Sequence, residues 1–348
     1  MASMKLSKAD ITGVLGMLPT PSTPDADRWD CENSVDLDES ARMVAMIAAA
    51  GVKILLTNGS FGEGATLTAT EQRDFTACIA ETLSGKGLLF AGVTTLNTRE
   101  TIARARLLLD AGADGLFLGR PMWMSLDQPG IVRYYADVAE ALPGVPLIIY
   151  DNEFAFKAKI ATDTYAALSR NAAIVATKHI GGPAIGDDLR AVEGRMRVLP
   201  VDARWLSLAQ SFPDEATACW SGNVADGPEV LALLAHTIAR RDWPLAADLS
   251  ERMAWAQAPM FPGGKLENFI DYNIPIAHAR LEGSGRVRSG PPRPPYLDAP
   301  ADHIEGGRET GRRWASLRET FATALASTDA LPHTEPRAAD TGKAAAAG

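Results

Sequence analysis

The chain has 348 residues, 46% of them apolar and 22% charged, which is enough to bury a large core and is ordinary for a soluble globular protein. A formal net charge of -9 opposes non-specific attraction to nucleic acid or to anionic membrane surfaces, so neither is expected as a partner. The opening Met1-Ala-Ser-Met-Lys-Leu-Ser-Lys lacks the apolar core of a signal peptide and no apolar run of about 18 residues occurs, so a cytoplasmic location is expected.

Short β-rich apolar runs alternate with longer helical patterns. In chain order the expected elements begin with strand Val14–Met17, helix Leu37–Ala50, strand Lys53–Thr57, helix Ala69–Leu83, strand Leu88–Val93 and helix Thr98–Ala111. Strand Gly115–Leu118, helix Ile131–Leu142, strand Leu147–Tyr150, helix Thr162–Ser169, strands Ile174–His179 and Arg197–Pro200, helix Trp205–Ser211 and strand Ala216–Trp220 follow. Eight strands with helices between them predict parallel pairing through right-handed crossovers, and eight is the number that closes a barrel.

An internal echo supports the repeating unit. Ala49-Ala-Gly-Val-Lys-Ile-Leu-Leu and Asp110-Ala-Gly-Ala-Asp-Gly-Leu-Phe-Leu both read as helix end, glycine cap, turn and buried strand. A doubly wound sheet would want Gly-x-Gly-x-x-Gly after the first strand, where this chain has Leu18-Pro-Thr-Pro-Ser-Thr-Pro. After Gly222 the pattern becomes helical without strands: Pro228–Arg241, Pro244–Ala256, Lys265–Glu282 and Gly306–Ser327, with an extended Pro-rich segment Ser289–Tyr296 between the last two. The expected organisation is an α/β (β/α)8 barrel over 11–225, a helical extension over 226–327, and a tail over 328–348 with the composition of a disordered segment.

Active sites of such barrels sit at the carboxyl ends of the strands, which draws attention to Tyr150 and Lys178. A primary amine and a phenol at two strand ends are the parts needed to form an imine with a keto acid and to move protons around it. Burial of Lys178 should lower its proton affinity from a model value near 10.4, leaving neutral amine to attack a ketone. The second strand runs into Thr57-Asn-Gly-Ser-Phe-Gly-Glu-Gly64, where successive N–H groups from Gly59 onward form a concavity suited to a carboxylate and Ser60 adds a hydroxyl; an ordinary turn is the alternative. Cys31, Cys78 and Cys219 form no Cys-x-x-Cys pair, and His179, His236, His278, His303 and His333 show no metal-binding spacing, so neither a disulfide framework nor a metal is expected.

Gly59-Ser-Phe-Gly-Glu63, the strand ending Ile149-Tyr150, and Thr177-Lys178, in this order, resemble the signatures of the dihydrodipicolinate synthase and N-acetylneuraminate lyase superfamily of class I aldolases. Asn273-Ile-Pro-Ile-Ala-His-Ala and Gly290-Pro-Pro-Arg-Pro-Pro resemble its C-terminal region, so the likeness runs from about Gly13 to Tyr296. Within it, Leu18-Pro-Thr-Pro-Ser-Thr-Pro-Asp, Phe61-Gly-Glu-Gly-Ala-Thr-Leu-Thr, Leu96-Asn-Thr-Arg-Glu, Pro121-Met-Trp123 and Asp271-Tyr-Asn-Ile are similar to the hydratase-aldolases that cleave benzylidenepyruvates. The resemblance implies that Lys178 is the Schiff-base amine, Tyr150 the proton carrier, and Ser60 with the Phe61 amide the pyruvyl carboxylate site. It also implies no cofactor beyond the covalent imine, a small aryl keto acid and pyruvate as ligands, and a homo-oligomer, commonly a tetramer.

Trp123 is expected to stack the aryl ring, or else to be a core or subunit-contact tryptophan. Asn152 is expected to orient water or the keto acid, or else to form a turn. Cys219 reads as core packing, Trp220 as a cavity wall, and Glu63 as a residue holding the loop together.

The chain departs from the family pattern in three places. Glu153 stands where a proline is expected, and Ser60-Phe61 stand where the wider family has two threonines. Arg120, with Lys157, Lys159 and His179, reads as a solvated cationic rim or as a site for a ring carboxylate. Two other readings stay open at this point: a different pyruvate aldolase or synthase of the family, and a non-catalytic keto-acid sensor.

Overall fold

The structure is a computed structural model that describes residues 6–321. Its strands are β1 (Gly13–Met17), β2 (Ile54–Leu56), β3 (Leu88–Gly92), β4 (Gly115–Leu118), β5 (Leu147–Tyr150), β6 (Ile174–Lys178), β7 (Arg197–Leu199) and β8 (Ala218–Ser221). They form one parallel sheet in the order β7-β6-β5-β4-β3-β2-β1-β8, in which β1 pairs with both β2 and β8. A single parallel bridge, Val201 with Trp220, joins the two ends, with Trp220 N–H donating to Pro200 O at 2.9 Å. The result is the (β/α)8 barrel expected of alternating strands and helices.

The helices interleaved with the strands are α1 (Leu37–Ala49), α2 (Ala69–Leu83), α3 (Thr98–Asp110), α4 (Gln128–Ala141), α5 (Glu153–Phe156), α6 (Thr162–Leu168), α7 (Ile185–Ala191) and α8 (Asp202–Ser211). Asp36, Thr68, Asn97 and Asp127 begin the first four, each side chain accepting a bond from a backbone N–H of the first turn. The two echoed segments end their helices alike: Gly51 and Gly112 follow at φ +97° and +105°, and Val52 and Ala113 donate back to Ile47 O and Leu108 O.

Side chains of the strands alternate between two apolar layers. Leu55, Leu89, Leu116, Leu147 and Ile149 face the helices, whereas Leu15, Leu56, Phe90, Phe117, Ile148, Tyr150 and Leu199 fill the barrel. Between β5 and β6 the register shifts: Leu147 pairs with Ile174, but Ile148 pairs with Ala176, so Val175 is an extra residue. Beyond that bulge Tyr150 lies opposite Lys178, and both side chains enter the same interior.

The barrel is followed by α9 (Pro228–Ala239), α10 (Trp243–Gln257), α11 (Leu266–Ile270), α12 (Asn273–Ser284) and α13 (Ala301–Thr320). The single helix expected over Lys265–Glu282 is two. Pro275 has no N–H to give to Asp271, and the chain restarts at Asn273 with that proline in the first turn. The last helix begins at Ala301 rather than Gly306, because its glycines are places of contact and not boundaries. A Cβ at Gly311 would lie 2.1 Å from Arg280 O, and one at Gly307 would lie 2.6 Å from Ile276 O, so glycine lets α13 lie against α12. The helix α7 was hidden in the sequence by the preceding Gly181-Gly182-Pro183, and β8 is displaced two residues from the expected Ala216 start. The end of the expected last helix and the tail over 328–348 lie outside the described residues. Among the described residues no helix is long and apolar enough to cross a membrane.

Candidate active site

Lys178 ends β6 inside the barrel and is only 5% exposed. Burial pulls its amine down from 10.5 to about 7, with the carboxylate of Asp151 acting in the opposite direction. The amine lies 3.7 Å from the centre of the Trp220 ring and 5.0 Å from that of Tyr150, so two π faces flank it. Trp220 is fixed in turn by its indole N–H, which donates to His179 O at 2.9 Å. Trp220 is partly buried, while Cys219 is fully buried among the apolar side chains of the core.

Tyr150 ends β5 between Phe117, stacked at 4.5 Å, and Phe156, edge-on at 5.1 Å. These rings fix the direction of its hydroxyl, which meets Ser60 Oγ at 2.8 Å and receives the Ser60 N–H at 3.4 Å. The loop carrying Ser60 is tightly built. Asn58 and Glu63 both have positive φ, Gly64 N–H donates to Gly59 O at 3.1 Å, and Thr20 Oγ1 donates to Gly62 O at 2.8 Å. A Cβ on Gly59 would lie 2.7 Å from the Met17 side chain. Among the described residues the Phe61 N–H makes no hydrogen bond, which leaves it with Ser60 Oγ as a donor set for an anion.

Asn152 caps a helix and reaches the Tyr150 hydroxyl. Its Oδ1 accepts from Ala155 N–H at 3.2 Å as the N-cap of α5, while its Nδ2 donates to Tyr150 Oη at 3.4 Å. Glu153 occupies the first helical position, where an acidic side chain suits the helix N-terminus much as proline suits its geometry. Trp123 is neither core nor inside the cavity: it is 71% exposed on the segment between β4 and α4, with its carbonyl accepting from Lys157 Nζ at 3.3 Å.

The solvated rim expected of Arg120, Lys157, Lys159 and His179 is half wrong. The two lysines are exposed, but Arg120 and His179 are 1% and 2% exposed. Arg120 donates to Asp151 Oδ1 at 3.1 Å and to Ala158 O at 2.6 Å, so both of its terminal nitrogens are engaged inside the protein, away from solvent. His179 Nδ1 accepts from Gly181 N–H at 2.9 Å, which leaves Nε2 to donate to Asp188 at 2.9 Å.

Two features escaped the sequence reading. Asp151 is 2% exposed and takes bonds from Arg120 and from Tyr165 Oη, the latter at 2.7 Å. Arg293, inside the Pro-rich segment, is a buried hub: it donates to Glu63 Oε1 at 2.7 Å, to Ser34 O at 2.8 Å and to Thr20 O at 3.1 Å. Glu63 also meets His278 Nε2 at 2.7 Å. A lone arginine between prolines was the available signal. Among the described residues no three His, Cys, Asp or Glu side chains gather as a metal site.

A profile of the Dihydrodipicolinate synthetase family matches residues 14–200. A trans-2'-carboxybenzalpyruvate hydratase-aldolase of Nocardioides sp. (strain KP7) is 47% identical over 330 residues, covering 94% of this chain and 99% of that one. A trans-O-hydroxybenzylidenepyruvate hydratase-aldolase of Pseudomonas aeruginosa is 39% identical over 329 residues, covering 93% and 98%. A solved structure described as PhdJ bound to substrate intermediate is 48% identical, superposes with a TM-score of 0.90, and covers 92% of this chain and 100% of that one. With the barrel, the strand-end amine and likeness over nearly its whole length in agreement, the chain belongs to the dihydrodipicolinate synthetase family.

Proposed function

We propose that this protein is a class I hydratase-aldolase, a carbon-carbon lyase that converts a substituted benzylidenepyruvate and water to an aromatic aldehyde and pyruvate in aromatic-compound catabolism. The observation that carries the reading is the Lys178 amine, held near neutrality by burial beside the Tyr150 phenol. Similarity to two hydratase-aldolases over nine-tenths of the chain supports the substrate class.

The substrate carboxylate accepts from Ser60 Oγ and the Phe61 N–H, which places the C2 ketone at Lys178. The amine adds to C2, Tyr150 relays a proton to the carbinolamine oxygen, and water leaves as the iminium forms. That iminium is conjugated with the alkene, so water adds at C4 and a proton at C3. Loss of the C4 hydroxyl proton then breaks the C3–C4 bond, its electron pair passing into the iminium to leave an enamine as the aryl aldehyde departs. Protonation at C3 and hydrolysis release pyruvate and restore the amine. Lys178 is itself the electron sink, so the mechanism calls on no further cofactor. Asn152 fixes the Tyr150 hydroxyl, and the exposed indole of Trp123 is the surface offered to the aryl ring. The enzyme acts in the cytoplasm as a homo-oligomer.

The test is borohydride trapping with pyruvate, followed by loss of enone absorbance with a benzylidenepyruvate. Wild type is expected to gain one pyruvyl adduct on the Lys178 peptide and to release aldehyde, whereas Lys178→Ala does neither. An adduct on another lysine, or aldehyde release by the alanine variant, would overturn the assignment. A panel of ortho-hydroxy and ortho-carboxy substrates then ranks the ring substituents.

A further inference from the structure

We propose that Trp220 is a catalytic residue whose indole face stabilises the positive charge of the Lys178 iminium; this rests on the Schiff-base reading above. The amine stands over the Trp220 ring at 3.7 Å from its centre, nearer than its 5.0 Å to the centre of the Tyr150 ring, so the nitrogen that will carry the charge already sits on a π face. A cation over an aromatic face is attracted by the negative part of the ring quadrupole, and indole attracts it most strongly of the natural rings.

The ring is fixed from two sides. Trp220 lies on β8 opposite Leu15 of β1, and its side chain shares the barrel interior with Leu15 and Leu199. Its backbone N–H donates to Pro200 O at 2.9 Å, and its indole N–H donates to His179 O at 2.9 Å, on the residue after Lys178. His179 is held in turn, with Nδ1 accepting from Gly181 N–H and Nε2 donating to Asp188, each at 2.9 Å. The face is therefore tied to the chain segment that carries the amine, and nothing has to rearrange when the charge appears.

Among the described residues no carboxylate is paired with the amine. The buried acids that follow β5, β6 and β7 are committed elsewhere: Asp151 to Arg120 and Tyr165, Asp188 to Thr162 and His179, and Asp202 to Ser221 and Asn223. A carboxylate in contact would hold the ammonium and withhold the nucleophile, whereas a π face attracts a cation more weakly and lets the amine lose its proton.

The charge arises at one step. As the carbinolamine collapses, the nitrogen lone pair closes the C=N bond, the C2–O bond breaks, and the hydroxyl leaves as water with the proton relayed by Tyr150. The nitrogen thereby turns from neutral to cationic over the indole. It stays cationic through hydration at C4 and is discharged when C3–C4 cleavage gives the neutral enamine. Trp220 thus favours both iminiums over the neutral carbinolamine, and its contribution is read in how much iminium accumulates.

The experiment uses the full chain with position 220 occupied, through nonsense suppression, by mono-, di- and tetrafluorinated tryptophan, which withdraw charge from the ring face and barely alter its shape. The measurement is the pyruvate concentration that half-saturates the borohydride-trapped adduct at about pH 8.5, where the free amine is uncharged and the iminium alone is cationic. That concentration is expected to rise stepwise with fluorination, and by about tenfold or more in Trp220→Leu. A packing role would leave the fluorinated series flat. A flat series, whatever Trp220→Leu does, would overturn the proposal while leaving the Schiff-base reading intact, and absence of any adduct in the wild type would remove both. Should Trp220→Leu fail to fold, the fluorinated series decides alone.

Discussion

Lys178 is tuned for reaction against the interest of the fold. Its folded-state value, about 7, lies below its ordinary 10.5, so between those limits the unfolded chain holds more protons and stability rises with pH. Below about 7 the whole penalty is present, on the order of 5 kcal/mol for such a displacement. Lys178→Met is therefore predicted to be inactive yet more stable than wild type in urea at about pH 6.5, with an advantage that shrinks toward pH 10. Equal midpoints at the two pH values would contradict this. The lysine and Tyr150 were legible in the sequence because each ends an apolar run that could only be a buried strand. Arg120 and His179 were misread for a physical reason. An isolated cation just past a strand end belongs in water, and what keeps these two inside are Asp151 and Asp188, partners that no one-dimensional pattern reveals.

At the scale of elements, Arg293 explains why three separated motifs occur together. The Pro-rich segment carries its guanidinium into the turn after β1, at Thr20 and Ser34, and onto Glu63 in the loop that presents Ser60 and Phe61. The C-terminal extension thereby holds the loop that carries Ser60 and Phe61 in shape. Burial pushes Glu63 up, but the bonds and charge of His278 and Arg293 outweigh it and keep the carboxyl below its ordinary 4.5. The sign is that of a depressed acid: the stabilisation is fully present above 4.5 and is lost as pH falls through the lower folded-state value. Arg293→Met strands a buried carboxylate and is predicted to cost about 3–5 kcal/mol at neutral pH, much of which the double variant with Glu63→Gln recovers. Denaturant unfolding of the two singles and the double checks it, and strict additivity would refute the coupling. Sequence showed that the Pro-rich segment is extended but not what it grips, because proline fixes the backbone and is silent about the partner of an intervening arginine.

At the scale of the whole molecule, alternation of strand and helix was enough to foresee the barrel, since each short apolar run needs cover on both faces. Assembly left a weaker trace. Leu96 and Met124, on the loops after β3 and β4, and Phe154, in the short helix α5 after β5, are 57%, 73% and 43% exposed. Such a group of apolar side chains favours contact with another subunit. The enzyme is predicted to sediment as an oligomer, and Met124→Asp to lower that mass; a monomeric wild type at micromolar concentration would sink the expectation. One more consequence follows from Val175, the residue without a counterpart on β5. Strand parity is binary, so drawing Val175 into a regular ladder would turn the Lys178 amine toward the outer helices without changing the chemistry of any side chain, whereas deleting it would leave Lys178 opposite Tyr150. Anyone grafting this strand onto another eight-stranded scaffold must either keep the bulge or leave Val175 out.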